Sequence, residues 1–290
     1  MASGDAAAAL WKAFRQGIVP VPEQTSQLTL SLLADEATSH EFLVEQVEHD
    51  ARSRYALMLA ANLGQLPGRP AVKNINQAVG WLGRARCQSF LWMVLLGDQI
   101  QNWHAASPRT RNRLFRHSLL TASLAQLLMA ATDLTPWALP SGMAHDVGHL
   151  LIAAPGARLE VTWHEEYDTP PAQAAAAAPN CNHALLGQEL LRFWNAPAPL
   201  LATAAFHHQP ALAPPEWRGL VAAVRLADLA CEFADSNRPV QATRLFHCKE
   251  WLQAADVPPW NTVAAVPALL ANHLPEALVR SEQLANQLAL

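Results

Sequence analysis

"SPRTRNRLFRHSLLTASLAQLLMAATDL", residues 107 to 134, reads as a single long buried helix. Ser107 can cap its start, Pro108 suits the first helical position, where no amide donor is needed, and Leu120, Leu124, Leu127 and Leu128 fall on one stripe at the helical period. Its middle is interrupted by His117. The same spacing of three and four recurs on both sides, Leu and Ala dominate, and β-branched runs are scarce, so the chain is expected to be all-α. Downstream, prolines bracket the elements. Pro136 and Pro140 precede a helix expected through "MAHDVGHLLIAA" and stopped by Pro155-Gly156, and Asn182 can cap "HALLGQELLRFW". Pro197 and Pro199 open "LLATAAFHH", which Pro210 closes.

Half of the 290 residues are apolar, ample for a buried core. The net charge of -4 and the lack of any Lys/Arg block argue against a phosphate-backbone surface, so no nucleic-acid partner is expected. Cys87, Cys181, Cys231 and Cys248 lie far apart without CxxC spacing, and no basic-then-apolar leader opens the sequence, which fits a reducing cytoplasm. Apolar runs such as "FLWMVLLGDQIQNW" (90 to 103) break well before the ~18 residues a membrane span needs. No membrane partner is expected either. Residues 20 to 105 read as several short helices, 155 to 182 as a long loop serving as lid or spacer, and 236 to 290 as a helical tail punctuated by Trp and Pro.

Polar residues interrupt the apolar segments in a regular order. His117 lies mid-helix, His145-Asp146 on the next element, His183 on the first turn of another, His207-His208 at the end of a fourth, and Asp228 within "VAAVRLADLACEF". Singly, each has an ordinary explanation, such as a core histidine bonded to a carbonyl or Asp228 paired with Arg225 one turn away. Together, five imidazoles and two carboxylates would each lose hydration on burial unless one centre collected them. A divalent metal does so. Imidazole and carboxylate suit Mn, Fe, Co, Ni or Zn, the absence of paired thiolates argues against a structural zinc site, and ligands on separate helices suit a bundle core. An ion there can activate bound water and polarise a phosphoryl oxygen, which makes phosphoester hydrolysis the natural chemistry. Consecutive helical residues diverge by about 100°, so His207 and His208 can converge only if their helix frays at Pro210.

The order His, His-Asp, Asp resembles the HD superfamily of metal-dependent phosphohydrolases. Further, "EHDARSRYALMLAANLGQLPGRPAVKNINQAVGWLGRARCQSFLW" (48 to 92), "LFRHSLLTASLAQLL", "GMAHDVGHLLI", "NHALLGQELLRFWNAP" and "FHHQP", with "VRLADLA" beyond, resemble the HDOD family of bacterial signalling proteins. The resemblance implies an N-terminal helical subdomain (1–105) packed on an HD-like metal-binding bundle (106–235), followed by a C-terminal helical extension (236–290). It also implies a first ion on His117, His145, Asp146 and Asp228. Asp146 would bridge to a second ion on His183, His207 and His208, and would serve the metal-bound water in any hydrolysis. His49-Asp50, by the same resemblance, sits at a helix start and belongs to no metal site, with Asp50 serving as a cap.

Three features depart from active relatives. His149 stands where a lysine often follows the HD aspartate by three residues, removing a fixed charge that could hold phosphate. Arg113 replaces a glutamate ligand of some multi-metal relatives, and "ALAPPEW" after "HHQP" has no Gly-Tyr-Pro element. The resulting expectation is a cytoplasmic regulatory output module holding one or two divalent ions. Its partner would be a signalling protein, a phosphorylated small molecule or a nucleotide. The alternative is a phosphohydrolase acting on a phosphomonoester or cyclic nucleotide. The acidic group His164, Glu165, Glu166 and Asp168 is read as a solvated loop, and Trp81, Trp92, Trp194 and Trp251 as core or interface.

Overall fold

The computed structural model describes residues 19, 21–63, 70–130, 132–152, 183–235, 249–262 and 266–288. They form helices α1 (Gln24–Ala34), α2 (His40–His49), α3 (Ala51–Asn62), α4 (Ile75–Gln101), α5 (Pro108–Leu128) and α6 (Thr135–Ala144). These are followed by α7 (His149–Ile152), α8 (His183–Phe193), α9 (Ala198–Phe206), α10 (Arg218–Asp235), α11 (Lys249–Ala255) and α12 (Val266–Leu288). The chain is all-α, with no strand among the described residues. The stretch 155–182 expected as a loop, with Pro155-Gly156, His164, Glu165, Glu166, Asp168, Cys181 and the expected cap Asn182, lies outside them, as does Cys248.

Local chemistry explains several boundaries. Ser107 accepts a hydrogen bond from the Thr110 amide and Pro108 occupies the first turn of α5, as the sequence predicts. Asp50 caps α3 by accepting from the Arg52 and Ser53 amides, both at 3.1 Å, and its carboxylate also accepts from Thr29 Oγ1. It is a structural cap beneath α1, on a different part of the fold from the second His-Asp pair. Asp50→Ala is expected to cost about 2 kcal/mol of stability, from cap and buried hydrogen bonds together, with metal content unchanged. Urea unfolding alongside elemental analysis checks both halves of that expectation.

Where several short helices were expected before residue 105, α4 instead runs 27 residues, interrupted at Gly83, whose φ of 72° is the left-handed conformation that glycine tolerates best. From Ser89 to Gly97 the helix is sealed all round, with Phe90, Leu91, Trp92, Met93, Val94, Leu95 and Leu96 all buried. An all-round apolar helix belongs in a protein core or a membrane. Here it is core, and no described helix is long and apolar enough to cross a membrane.

α5 is buried on two sides. Leu114, Phe115, Leu119 and Ala122 join a core built with α1–α4, α6, α8 and α9. The predicted stripe Leu120, Leu124, Leu127 and Leu128 joins a second core with α10, α11 and α12. The C-terminal helix packs along α5 and touches both cores, Leu270 and Ala277 in one and Leu284 and Leu288 in the other. The helix expected through "MAHDVGHLLIAA" is different in fact. It ends at Ala144, residues 145–148 form a turn, and the four-residue α7 follows. Gly142 and Gly148 bracket that turn, and both lie against backbone of neighbouring segments.

Candidate metal centre

All seven residues singled out from sequence converge. α5 supplies His117, the turn after α6 supplies His145 and Asp146, His183 opens α8, His207 and His208 follow the end of α9, and α10 supplies Asp228. α9 ends at Phe206; His207 is its C-cap, still donating its amide to the Thr203 carbonyl, His208 lies in the turn beyond, and their ring centroids lie 4.1 Å apart. The helix has thus ended by Pro210, as their convergence required.

Two donor sets share one carboxylate. In the first, His117 Nε2 lies 3.1 Å from Asp228 Oδ1 and 3.8 Å from Asp146 Oδ2, while His145 Nε2 lies 3.3 Å from Asp146 Oδ2 and 3.5 Å from Asp228 Oδ1. In the second, the other oxygen, Asp146 Oδ1, lies 3.5 Å from both His183 Nε2 and His207 Nε2. His183 Nε2 is 3.3 Å from His207 Nε2 and 2.8 Å from His208 Nε2. Donors bound at about 2.0–2.2 Å to one tetrahedral ion stand about 3.3–3.6 Å apart, a range that holds five of these eight separations, with His117–Asp228, His117–Asp146 and His183–His208 outside it.

The fit can be tested on the hydrogen-bond chemistry. His145 Nδ1–H donates to the Gly142 carbonyl at 2.7 Å, so in the neutral ring Nε2 carries a bare lone pair. That lone pair faces carboxylate oxygens, and Nε2 is buried without a hydrogen-bond partner. His207 is held alike, its Nδ1–H shared between the Thr203 and Ala204 carbonyls at 3.2 and 3.1 Å. Its Nε2 then turns toward His183 and Asp146. Acceptors aimed at one another in a buried site need a positive charge between them: in the first set a proton held on His145 supplies it when no metal is bound, and a divalent cation can supply it at both sets. The residues therefore fit the metal.

The HDOD domain family matches residues 19–210. The chain belongs to the HDOD family. Its helical fold is similar to that of an HDOD domain protein of unknown function from Geobacter sulfurreducens, at 20% identity and TM-score 0.70 over 98% of each chain. It is also similar to a candidate phosphohydrolase from Shewanella amazonensis SB2B, at 18% identity and TM-score 0.60 over 96% of this chain and 98% of that one. At such identities the likeness is one of fold. An uncharacterized protein of Treponema pallidum (strain Nichols) is 26% identical over 176 residues, which cover 58% of this chain and 33% of that protein. The HDOD chain thus spans about a third of the length of this relative.

Electrostatics in the HDOD centre follow from burial and the two aspartates. Burial opposes charge on His145, but Asp146 and Asp228 outweigh it and hold the imidazole well above its ordinary value. Burial also opposes ionisation of Asp146 and Asp228. The histidines around them, and Arg225 beside Asp228, nonetheless hold both carboxyls well below the usual carboxylate range. His149, His183 and His208 are pushed down by burial, so they stay neutral as ligands must. Arg225 Nη1 donates to Asp228 Oδ2 at 2.6 Å, leaving Oδ1 to face His117 and His145. The Asp228–Arg225 pair offered as an ordinary explanation and the metal-site role are therefore compatible, one oxygen each.

One member of the HDOD cluster is not among the seven. His149 is buried, its Nε2 lies 3.8 Å from Asp146 Oδ1, and its ring stacks on His183 with centroids 4.1 Å apart and planes 19° from parallel. Asp146, His149 and His183 bring donor atoms within 4.8 Å of one another. A sequence signal existed: His145 and His149 are four residues apart, a spacing that places two imidazoles on one face of a helix.

Proposed function

We propose that this HDOD protein is a regulatory output module of bacterial cytoplasmic signalling whose buried centre holds one or two divalent transition-metal ions. The observation that carries this reading is Asp146, with one oxygen turned to each donor set. Ligands so placed join α5, the turn after α6, α8, α9 and α10. Occupancy then fixes how these helices sit against one another, and a partner reading their outer surface reads occupancy with it. The partner class is a signalling protein, or a phosphorylated small molecule or nucleotide. Regulation is favoured because position 149 offers a buried imidazole stacked among the donors instead of a fixed cation for a phosphate.

The first donor set favours a second reading, a metal-dependent phosphohydrolase acting on a phosphomonoester or cyclic nucleotide. A divalent ion bound there supplies Lewis acidity and lowers the pKa of water toward neutrality. The chain's part is orientation. Gly142 O fixes the His145 tautomer, Arg225 turns Asp228, and the buried surroundings exclude competing solvent. The test is chelator-free purification with elemental analysis, melting with and without a chelator, and a phosphoesterase panel. We expect about one to two ions per chain, a lower melting temperature on chelation, and no turnover. Robust turnover abolished by Asp146→Ala would put the second reading first. A chain that stays empty after reconstitution with Mn, Fe or Ni would end both.

A further inference from the structure

Away from the metal donors, the fold holds a cavity of about 770 Å³ where the end of α3 and the first half of α4 meet α5, α6 and α12. None of the seven candidate ligands lines it. Its size falls within the roughly 300–1,000 Å³ that small-molecule sites occupy. Its walls are mixed in chemistry. Phe90 and Leu139 line it from the core shared by α4 and α6. Trp81 lines it as well with 48% of its surface exposed, an indole kept in a concave site instead of a core. Arg86 from α4 and Arg280 from α12 bring two guanidinium groups to the same space. Arg280 shares its charge with Glu276 at 2.6 Å, whereas Arg86 is exposed and makes no hydrogen bond or ion pair with a described residue. Like charges gathered in one concavity draw an anion between them. Asp133, in the turn ahead of α6, is the one carboxylate among the described lining residues.

We propose that this cavity binds a nucleoside phosphate, with the base stacked on the Trp81 indole, the phosphate held by Arg86 and Arg280, and hydroxyl or amino groups of the nucleoside donating to Asp133. Guanidinium forks pair with phosphate oxygens, an aromatic face stacks on any base, and a carboxylate accepts from hydroxyl and amino groups. An acyl phosphate would satisfy the arginines equally well, but its chain would strip water from Asp133 and offer no donor in return. The role of the site rests on the regulatory reading above, for which it names where the small-molecule partner sits. α5 and α6 wall the cavity and also lead to metal donors, His117 lying on α5 and His145 just past the end of α6.

The test is calorimetric titration of the full chain, its metal content measured in parallel, with AMP, GMP, CMP and UMP, and with adenosine, inorganic phosphate and dodecyl phosphate as partial probes. At least one nucleotide should bind with submillimolar affinity, and every partial probe should bind at least about tenfold more weakly than the best of them. Trp81→Ala should weaken that nucleotide about tenfold or more, and Trp81→Phe, which keeps a stacking ring, should recover most of the loss. Arg86→Ala should weaken the nucleotide about tenfold and narrow its advantage over the nucleoside, a selectivity change that a purely structural role would not produce. Failure of all four nucleotides to bind overturns the site, and the metal centre stands wherever elemental analysis finds ions. Binding that neither Trp81→Ala nor Arg86→Ala weakens overturns it too, as does dodecyl phosphate bound as tightly as any nucleotide. A chain that binds nucleotide but holds no metal keeps this site and removes the metal from the regulatory reading.

Discussion

Asp146→Ala is expected to empty both halves of the centre and to destabilise the protein more than loss of any other single donor. Every other donor serves one set, whereas Asp146 stands within 3.3–3.8 Å of five imidazoles, those of His117, His145, His149, His183 and His207. Removing it from the metal-free protein also leaves a buried, positively biased His145 with Asp228 as its remaining carboxylate. Breaking a buried charge pair by deleting one partner costs about 3–5 kcal/mol, and the loss of metal linkage adds to that. Elemental analysis should show less than about a fifth of wild-type metal, and the melting temperature should fall sharply even in chelator. Full metal content in Asp146→Ala would mean that the carboxylate does not bridge.

The pH dependence follows with a definite sign. His149, His183 and His208 have folded values below the ordinary histidine range, so the unfolded chain binds more protons as pH falls through that range and stability falls with it. His145 is raised and acts oppositely, its contribution being lost as pH rises above the ordinary histidine range. Three depressed groups against one raised group make acid the destabilising direction. Proton competition for the ligands makes metal release follow the same course.

Much of this was legible in the chain because it is local. Helical period, the Ser107-Pro108 start and the stripe from Leu120 to Leu128 depend on neighbours three or four residues away, and α5 forms as they dictate. The convergence of these histidines and aspartates was legible for a different reason: polar residues placed inside apolar segments must meet something. The difference between the two His-Asp pairs came from resemblance and is now physical, since Asp50 spends its oxygens on the Arg52 and Ser53 amides while Asp146 turns both of its own toward imidazoles. Two features were not legible. His149 was read as a missing lysine, which hid the imidazole that it is. The turn at 145–148 was read as helix because nothing in residues 143–154 announces that Gly142 and Gly148 must each admit a distant backbone.

That admission predicts the second large effect. A Cβ built on Gly148 would fall 2.0 Å from the His183 carbonyl oxygen and 2.7 Å from the Gly187 amide nitrogen, and one built on Gly142 would fall 2.3 Å from Ala122 Cα. In both cases the obstacle is backbone, so no rotamer change relieves it and whole segments must separate. Gly148→Ala drives the 145–148 turn off the start of α8, pulling Asp146 from His183, while His117 and Asp228 stay on undisturbed α5 and α10. Gly142→Ala drives α6 off α5 and so pulls His145 and Asp146 from His117. Each methyl group is expected to cost about 3 kcal/mol or more, a large effect for so small a change. The two should differ in what they release: Gly148→Ala gives up the second ion and keeps the first, and Gly142→Ala weakens the first, with Asp146 carrying the disturbance onward to the second. Metal stoichiometry and melting temperature measured on both variants distinguish these outcomes. Two ions and a wild-type melt in Gly148→Ala would show that the turn does not hold α8 at the distance on which the shared carboxylate depends.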